Sequence, residues 1–144
     1  MYVLDTCILE YARRENAAGK KVRAWIESVN ETDLYISVAA IAEKMKGAQK
    51  LRAQRNKDLK GAAKLEADAT QMVADWSKRI LALDKDAAIH WGTMLTGQGA
   101  TGLDCAVAAV AKANGYKIVT ANVDDFRPHG IDIVDPVNGK NVTH

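Results

Sequence analysis

Proline and cysteine are scarce in this chain, with 2 of each among 144 residues, and aromatic side chains make up only 6%. So little proline, beside 48% hydrophobic and 26% charged residues, excludes a disordered or Pro-rich segment as the main organisation. Cys7 and Cys105 lie far apart and without metal-finger spacing, which excludes a disulfide scaffold and assigns both thiols to packing. Neither charge dominates: 20 Lys and Arg against 18 Asp and Glu give a net +2, so the chain is no polycation and any nucleic-acid role needs a local patch. The longest runs dominated by apolar residues, 36–42 and 105–111, fall far short of the ~18 that a membrane helix requires, so no membrane partner is expected. The opening residues carry neither the basic nor the apolar region of a secretion signal, from which we expect cytoplasmic residence.

Chemistry is also bounded by what is missing. There is no G-x-S-x-G elbow, and His90, His129 and His144 lack zinc-ligand spacing, so covalent hydrolysis and a zinc site are not supported. Residues 97–102 match G-x-G-x-x-G literally, but a helical pattern precedes them where the dinucleotide fingerprint requires a strand. They read as a loop.

What is present is a chain of one-domain size with alternating strand and helix signals. Tyr2, Val3 and Leu4 form a short β-prone run before polar Asp5 and Thr6, and helices are expected over 8–14 and 21–29. A strand over 34–36 follows. Val38, Ile41, Met45, Ala48 and Leu51 share a helical face, and Leu59, Ala62, Ala69, Val73, Trp76, Ile80 and Leu83 continue the period, suggesting a helical arm or hairpin. Asp84 can cap a helix to residue 95 with Ala88, Trp91 and Leu95 inward. Gly115 ends a helix over 103–114, and strands are expected over 116–120 and 131–134, with a polar tail from 135 to 144 expected to fray. Such alternation implies an α/β fold with a mostly parallel central sheet, helices on both faces, and ligands outside the carboxyl ends of the strands. Asp5, Ser37, Thr120 and Asn122 fall on that rim.

Asp5, Glu43, Asp104 and Asp125 are suitable magnesium ligands, since this hard ion takes oxygen donors and uses a few dispersed carboxylates. Clustered carboxylates repel, so their convergence would itself imply a cation. Each has another reading. Asp5 can cap the helix after the first strand, and Glu43, about 200° around its helix from Ile41, can face solvent. Asp104 follows Thr101 at capping-box spacing, and Asn122 and Asp125 are common turn formers. Between residues 44 and 64, Lys44, Lys46, Lys50, Arg52, Arg55, Lys57, Lys60 and Lys64 face only Asp58, a pattern suited either to phosphates or to a solvated helix face.

Four blocks of residues go further together. They are Tyr2-Val3-Leu4-Asp5-Thr6, then Ser37-Val38-Ala39-Ala40-Ile41-Ala42-Glu43 with Gly47, then Asp104 followed by an Ala-rich stretch, and Val119-Thr120-Ala121-Asn122-Val123-Asp124-Asp125-Phe126. In this order and spacing the chain resembles the PIN-domain family, specifically the VapC and FitB-like toxins of type II toxin–antitoxin pairs. The resemblance implies a three-layer α/β/α sandwich and a Mg²⁺- or Mn²⁺-dependent endoribonuclease restrained by an antitoxin and acting as a homodimer within a higher assembly. It places Asp5 and Asp104 on the metal, with Glu43 and either Asn122 or Asp125 completing the site, and Thr6, Ser37 and Thr120 as orienting donors. Cys7 stands where many relatives carry Asn or Ser. The rival readings are a non-catalytic module that binds nucleic acid or a partner, and a nuclease that cuts DNA.

Overall fold

The computed structural model describes residues 1–97 and 102–144. Its first strand, β1 (Tyr2–Leu4), leads into helices α1 (Thr6–Ala12) and α2 (Ala17–Glu27). Next come β2 (Leu34–Ser37), α3 (Val38–Ala53), α4 (Leu59–Trp76), β3 (Ile80–Leu81) and α5 (Lys85–Met94). The chain closes with α6 (Gly102–Asn114), β4 (Lys117–Val119), α7 (Val123–Phe126) and β5 (Ile133–Val134). The strands form one five-stranded parallel sheet in the order β3-β2-β1-β4-β5.

Two cores flank this sheet because successive strand residues point to opposite faces. Val3 and Ile118 join Met94, Phe126 and most of the buried run of α6, including Cys105, Ala108 and Ala111, on one face. Leu4 and Val119 join Ile8, Val22, Ile36 and Met72 on the other. Helix α3 serves both, with Ala39 in the first core and Ala40 in the second. The α/β/α sandwich is therefore the observed fold, and α3 with α4 makes the expected hairpin. Among the described residues no helix is long and apolar enough to cross a membrane.

Several expected elements need correction. The helical period running through Ile80 and Leu83 stops at Trp76, where Ser77 turns to φ 39° and residues 80 and 81 become β3, pairing with Ile36 and Ser37. Edge pairing to β2 outweighs the local period here. Arg79 secures the break, with its guanidinium 4.6 Å over the Trp76 ring and an N–H donated to Leu34 O at 3.0 Å. In α5, Ala87 and Met94 are buried with Trp91 partly so, whereas Ala88 and Leu95 are exposed. The helix is apolar on more than one side, and packing on α6 selects the face.

The tail, expected to fray, is hydrogen-bonded back onto the sheet in the structure. Ile133 and Val142 exchange both backbone hydrogen bonds at 2.8 and 2.9 Å, and buried Asp135 accepts N–H groups of Val137 and Asn138 through Oδ1. Asn141 Oδ1 in turn accepts the Asp135 N–H at 2.9 Å. Polar residues that suggested a solvated end instead build a turn. The loop expected at 97–102 and the Thr101 capping box fall largely on residues 98–101, outside the described residues.

Candidate functional site

The site begins at the carboxyl end of the central strand. Asp5 follows β1, donates its backbone N–H to Val119 O on β4 at 3.0 Å, and caps α1 by accepting the Thr6 N–H through Oδ1 at 2.8 Å. The capping role considered for this residue is observed, and it spends one carboxylate oxygen. Oδ2 accepts the Thr120 hydroxyl at 2.8 Å and lies 3.3 Å from Cys7 Sγ. Thr120 is fully buried, and its Oγ1 also accepts the Asn122 N–H at 3.0 Å, which ties the turn after β4 to the carboxylate.

Asp5 is only 5% exposed. Burial pushes its carboxyl above the ordinary carboxylate range, the hydrogen bonds from Thr120 and Cys7 pull it back, and the nearby charge of Asp104 raises it again. No ion pair among the described residues includes Asp5. Asp5 is thus a buried carboxylate near the charge of Asp104. Burial and then the Asp5 charge drive the Cys7 thiol up to about 12, so it stays protonated beside the carboxylate. Cys7 packs against the second core, as expected, and also borders Asp5. Its place two residues after Asp5 was the available signal, but the 3.5 Å contact to Thr120 Oγ1 spans 113 positions.

Asp104 stands in the first turn of α6 and lines a cavity of about 660 Å³ together with Glu43 and Lys46 of α3. Glu43 is exposed and also lines a second concavity with Thr6, Cys7, Lys44 and Asn122, so it forms the wall between the two. Asn122 opens onto this second concavity and onto a third, which it shares with Asp125, Asn138 and Lys140. Asp125 is exposed on the short α7 and donates its backbone N–H to Asn122 O at 3.2 Å. Ser37 caps α3 by accepting the Ala39 N–H at 3.0 Å. Thr6 Oγ1 is buried and has no hydrogen-bond partner among the described residues.

The structure brings some of the predicted acidic residues near one another and leaves others apart. Asp5 and Asp104 are close enough for one charge to act on the other. Glu43 and Asn122 line the adjoining space, and Asp125 stands beyond Asn122. Among the described residues no group of three or more His, Cys, Asp and Glu is placed to hold a metal ion. This donor set suits magnesium, which binds through one or two carboxylates and retains several waters, better than zinc, which wants a closed nitrogen or sulfur shell.

The basic cluster is smaller than its sequence suggests. Lys44 is buried and pairs with Glu10, and Arg52 makes a two-pronged bridge to Glu66 at 2.8 and 3.0 Å. Lys46, Lys50, Arg55, Lys57, Lys60 and Lys64 remain exposed along the α3–α4 hairpin, and Asp58 is engaged in capping α4.

Comparison with known proteins agrees with this architecture. A sequence model of the PIN domain matches residues 2–129. The chain is 29% identical over 142 residues to the plasmid stability protein StbB of Pseudomonas syringae pv. tomato, covering 94% of this chain and 98% of that one. It is 26% identical over 141 residues to a VapC ribonuclease of Sinorhizobium fredii, covering 94% and 97%. Among solved structures, FitAcB from Neisseria gonorrhoeae is similar with a TM-score of 0.74 at 22% identity, over 96% of this chain and 99% of that one.

Proposed function

Since the chain belongs to the PIN-domain family, we propose that it is a metal-dependent endoribonuclease that hydrolyses RNA phosphodiester bonds, acting as the toxin of a type II toxin–antitoxin pair. The observation that carries the reading is Asp5, a buried carboxylate raised by burial and by Asp104, with no cationic partner among the described residues. Burying a carboxylate beside a second negative charge is costly, and a divalent cation lowers that cost. The resemblance to a named VapC ribonuclease supports RNA as the substrate. Likeness to VapC and FitB-like toxins supports a cognate antitoxin, a homodimer within a larger assembly, and action in the cytoplasm.

In this reading Asp5 and Asp104 hold Mg²⁺ or Mn²⁺ directly. Glu43 and Asn122 act through water from the adjoining concavity, and Asp125 adds negative charge behind Asn122. A divalent ion held there supplies charge stabilisation for the scissile phosphate and a lowered pKa for the attacking water. The chain's own part is orientation: Thr120, Thr6 and Cys7 hold the Asp5 carboxylate by hydrogen bonds. The exposed lysines of the hairpin draw the RNA backbone toward the rim.

The test is incubation of the purified chain with total RNA in Mg²⁺, Mn²⁺ or EDTA, beside Asp104→Asn. Cleavage is expected only for the wild type with metal. Persistence of cutting in excess EDTA or in the variant would sink the reading, and parallel reactions on tRNA, single-stranded RNA and DNA separate an RNase from a DNase.

A further inference from the structure

We infer that the cavity beside Asp104 receives one nucleobase of the RNA, from the nucleotide next to the phosphate that is cut. The inference rests on the nuclease reading above. Val38 and Ala42 of α3, Leu83, Trp91 of α5 and Leu103 of α6 wall this space of about 660 Å³, whereas Glu43, Lys46 and Asp104 supply its polar groups. Its size falls in the range of about 300–1,000 Å³ typical of small-molecule sites, and mostly apolar walls with few polar groups are their usual lining. A phosphate or a hydrated ion gains nothing from such walls. A nucleobase does, because its faces stack on apolar and aromatic surfaces while its edge keeps hydrogen-bonding groups.

Two features place the occupant. Trp91 is anchored, with its indole N–H donated to Gly102 O at 3.0 Å, so the ring is a pre-set wall rather than a free rotor. The cavity also shares Asp104 and Glu43 with the proposed catalytic rim, and Lys46 adds a cation for the attached phosphate. A strand whose phosphate lies at the carboxylates has an adjoining base within reach of the apolar pocket. The fit therefore predicts that a base is read out beside the cut.

The experiment compares cleavage of a short RNA with the same RNA carrying an abasic ribose next to the cleaved bond. For the wild type the abasic substitution is expected to slow cleavage at least about tenfold, the loss that accompanies one forfeited stack. In Ala42→Phe, which fills the cavity from an exposed helical position, intact and abasic RNA are expected to be cut at nearly equal rates. A wild type indifferent to the missing base, or a full abasic penalty persisting in Ala42→Phe, overturns the inference. So does an Ala42→Phe chain that keeps the penalty but escapes neutralisation by a protein partner, which assigns the pocket to a polypeptide segment. Binding supplies a second readout: 2-aminopurine at that position should change its fluorescence on mixing with Asp104→Asn, and Ala42→Phe should abolish the change. Base capture without any cleavage by the wild type would remove the nuclease reading and leave a base pocket with no cut beside it.

Discussion

Thr120 Oγ1 donates a hydrogen bond of 2.8 Å to Asp5 Oδ2 across 115 positions of the chain. The same oxygen accepts the Asn122 N–H, so one buried hydroxyl joins the ends of β1 and β4 to the turn that carries Asn122. Orientation of the proposed ligand is thereby tied to closure of the sheet.

Thr120→Val keeps the shape but leaves Asp5 Oδ2 and the Asn122 N–H short of a partner. A stability loss of about 1–3 kcal/mol is expected, with Mn²⁺ affinity lowered about tenfold or more. Thr120→Ser should restore most of both. Calorimetric titration with Mn²⁺ beside thermal melts checks this, and an unaltered Mn²⁺ affinity in the Val variant would refute the orienting role.

Asp5 carries a prediction with a definite sign. Its folded-state carboxyl lies above the ordinary value because of burial and then Asp104, so protonation favours the native state. The stabilisation is complete below the unfolded carboxylate pKa and is lost as pH rises through the folded one. In EDTA, Asp5→Asn should therefore melt above the wild type near pH 8, with the gap narrowing toward about pH 4. Saturating Mg²⁺ should stabilise the wild type alone by mass action, roughly 2.7 kcal/mol at a hundredfold excess over Kd. A wild type more stable than the variant in EDTA at the alkaline end would contradict the buried-charge account.

The hairpin lysines can be separated from the proposed catalytic rim by salt. For Asp104→Asn binding single-stranded RNA, adding Lys57→Gln and Lys60→Gln should flatten the dependence of log K on log salt by about 0.7 for each phosphate contact removed. Lys44→Gln should instead destabilise the fold, since Lys44 is buried on Glu10. An unchanged slope in the double variant would reduce the hairpin to a solvated surface.

Gly19 tests the α1–α2 corner. Helix propensity alone says Gly19→Ala should stabilise α2 by nearly 1 kcal/mol. A Cβ there would lie 2.0 Å from Arg14 O and 2.9 Å from Tyr11 O, both backbone atoms that cannot rotate away. We expect net destabilisation of about 1–3 kcal/mol by chemical denaturation. A stabilised variant would show that the corner yields.

The local features were legible in advance because local chemistry decides them. Asp84 caps α5 by accepting the Ala87 N–H, and Gly115 takes φ 68° after α6. Asp5 at a strand end could be read as cap or ligand, and the fold shows the first, through Oδ1, with Oδ2 held by Thr120 and Cys7. Features set by distant contacts were not legible. β3 exists because β2 offers an edge, and Cys7 joins the site because Thr120 arrives from the far side of the sheet. Lys44 looked like one more surface cation until α1 supplied Glu10.

The strand order gives β1 its two neighbours from widely separated parts of the chain, β2 on one side and β4 on the other. Until β4 has docked, Asp5 has neither the Val119 carbonyl nor the Thr120 hydroxyl. Contacts of such separation are costly to close and form slowly. A chain still being synthesised, or partly unfolded by a chaperone or protease, therefore holds its carboxylates apart. If the chain has the proposed activity, its topology withholds that activity until β4 has paired with β1.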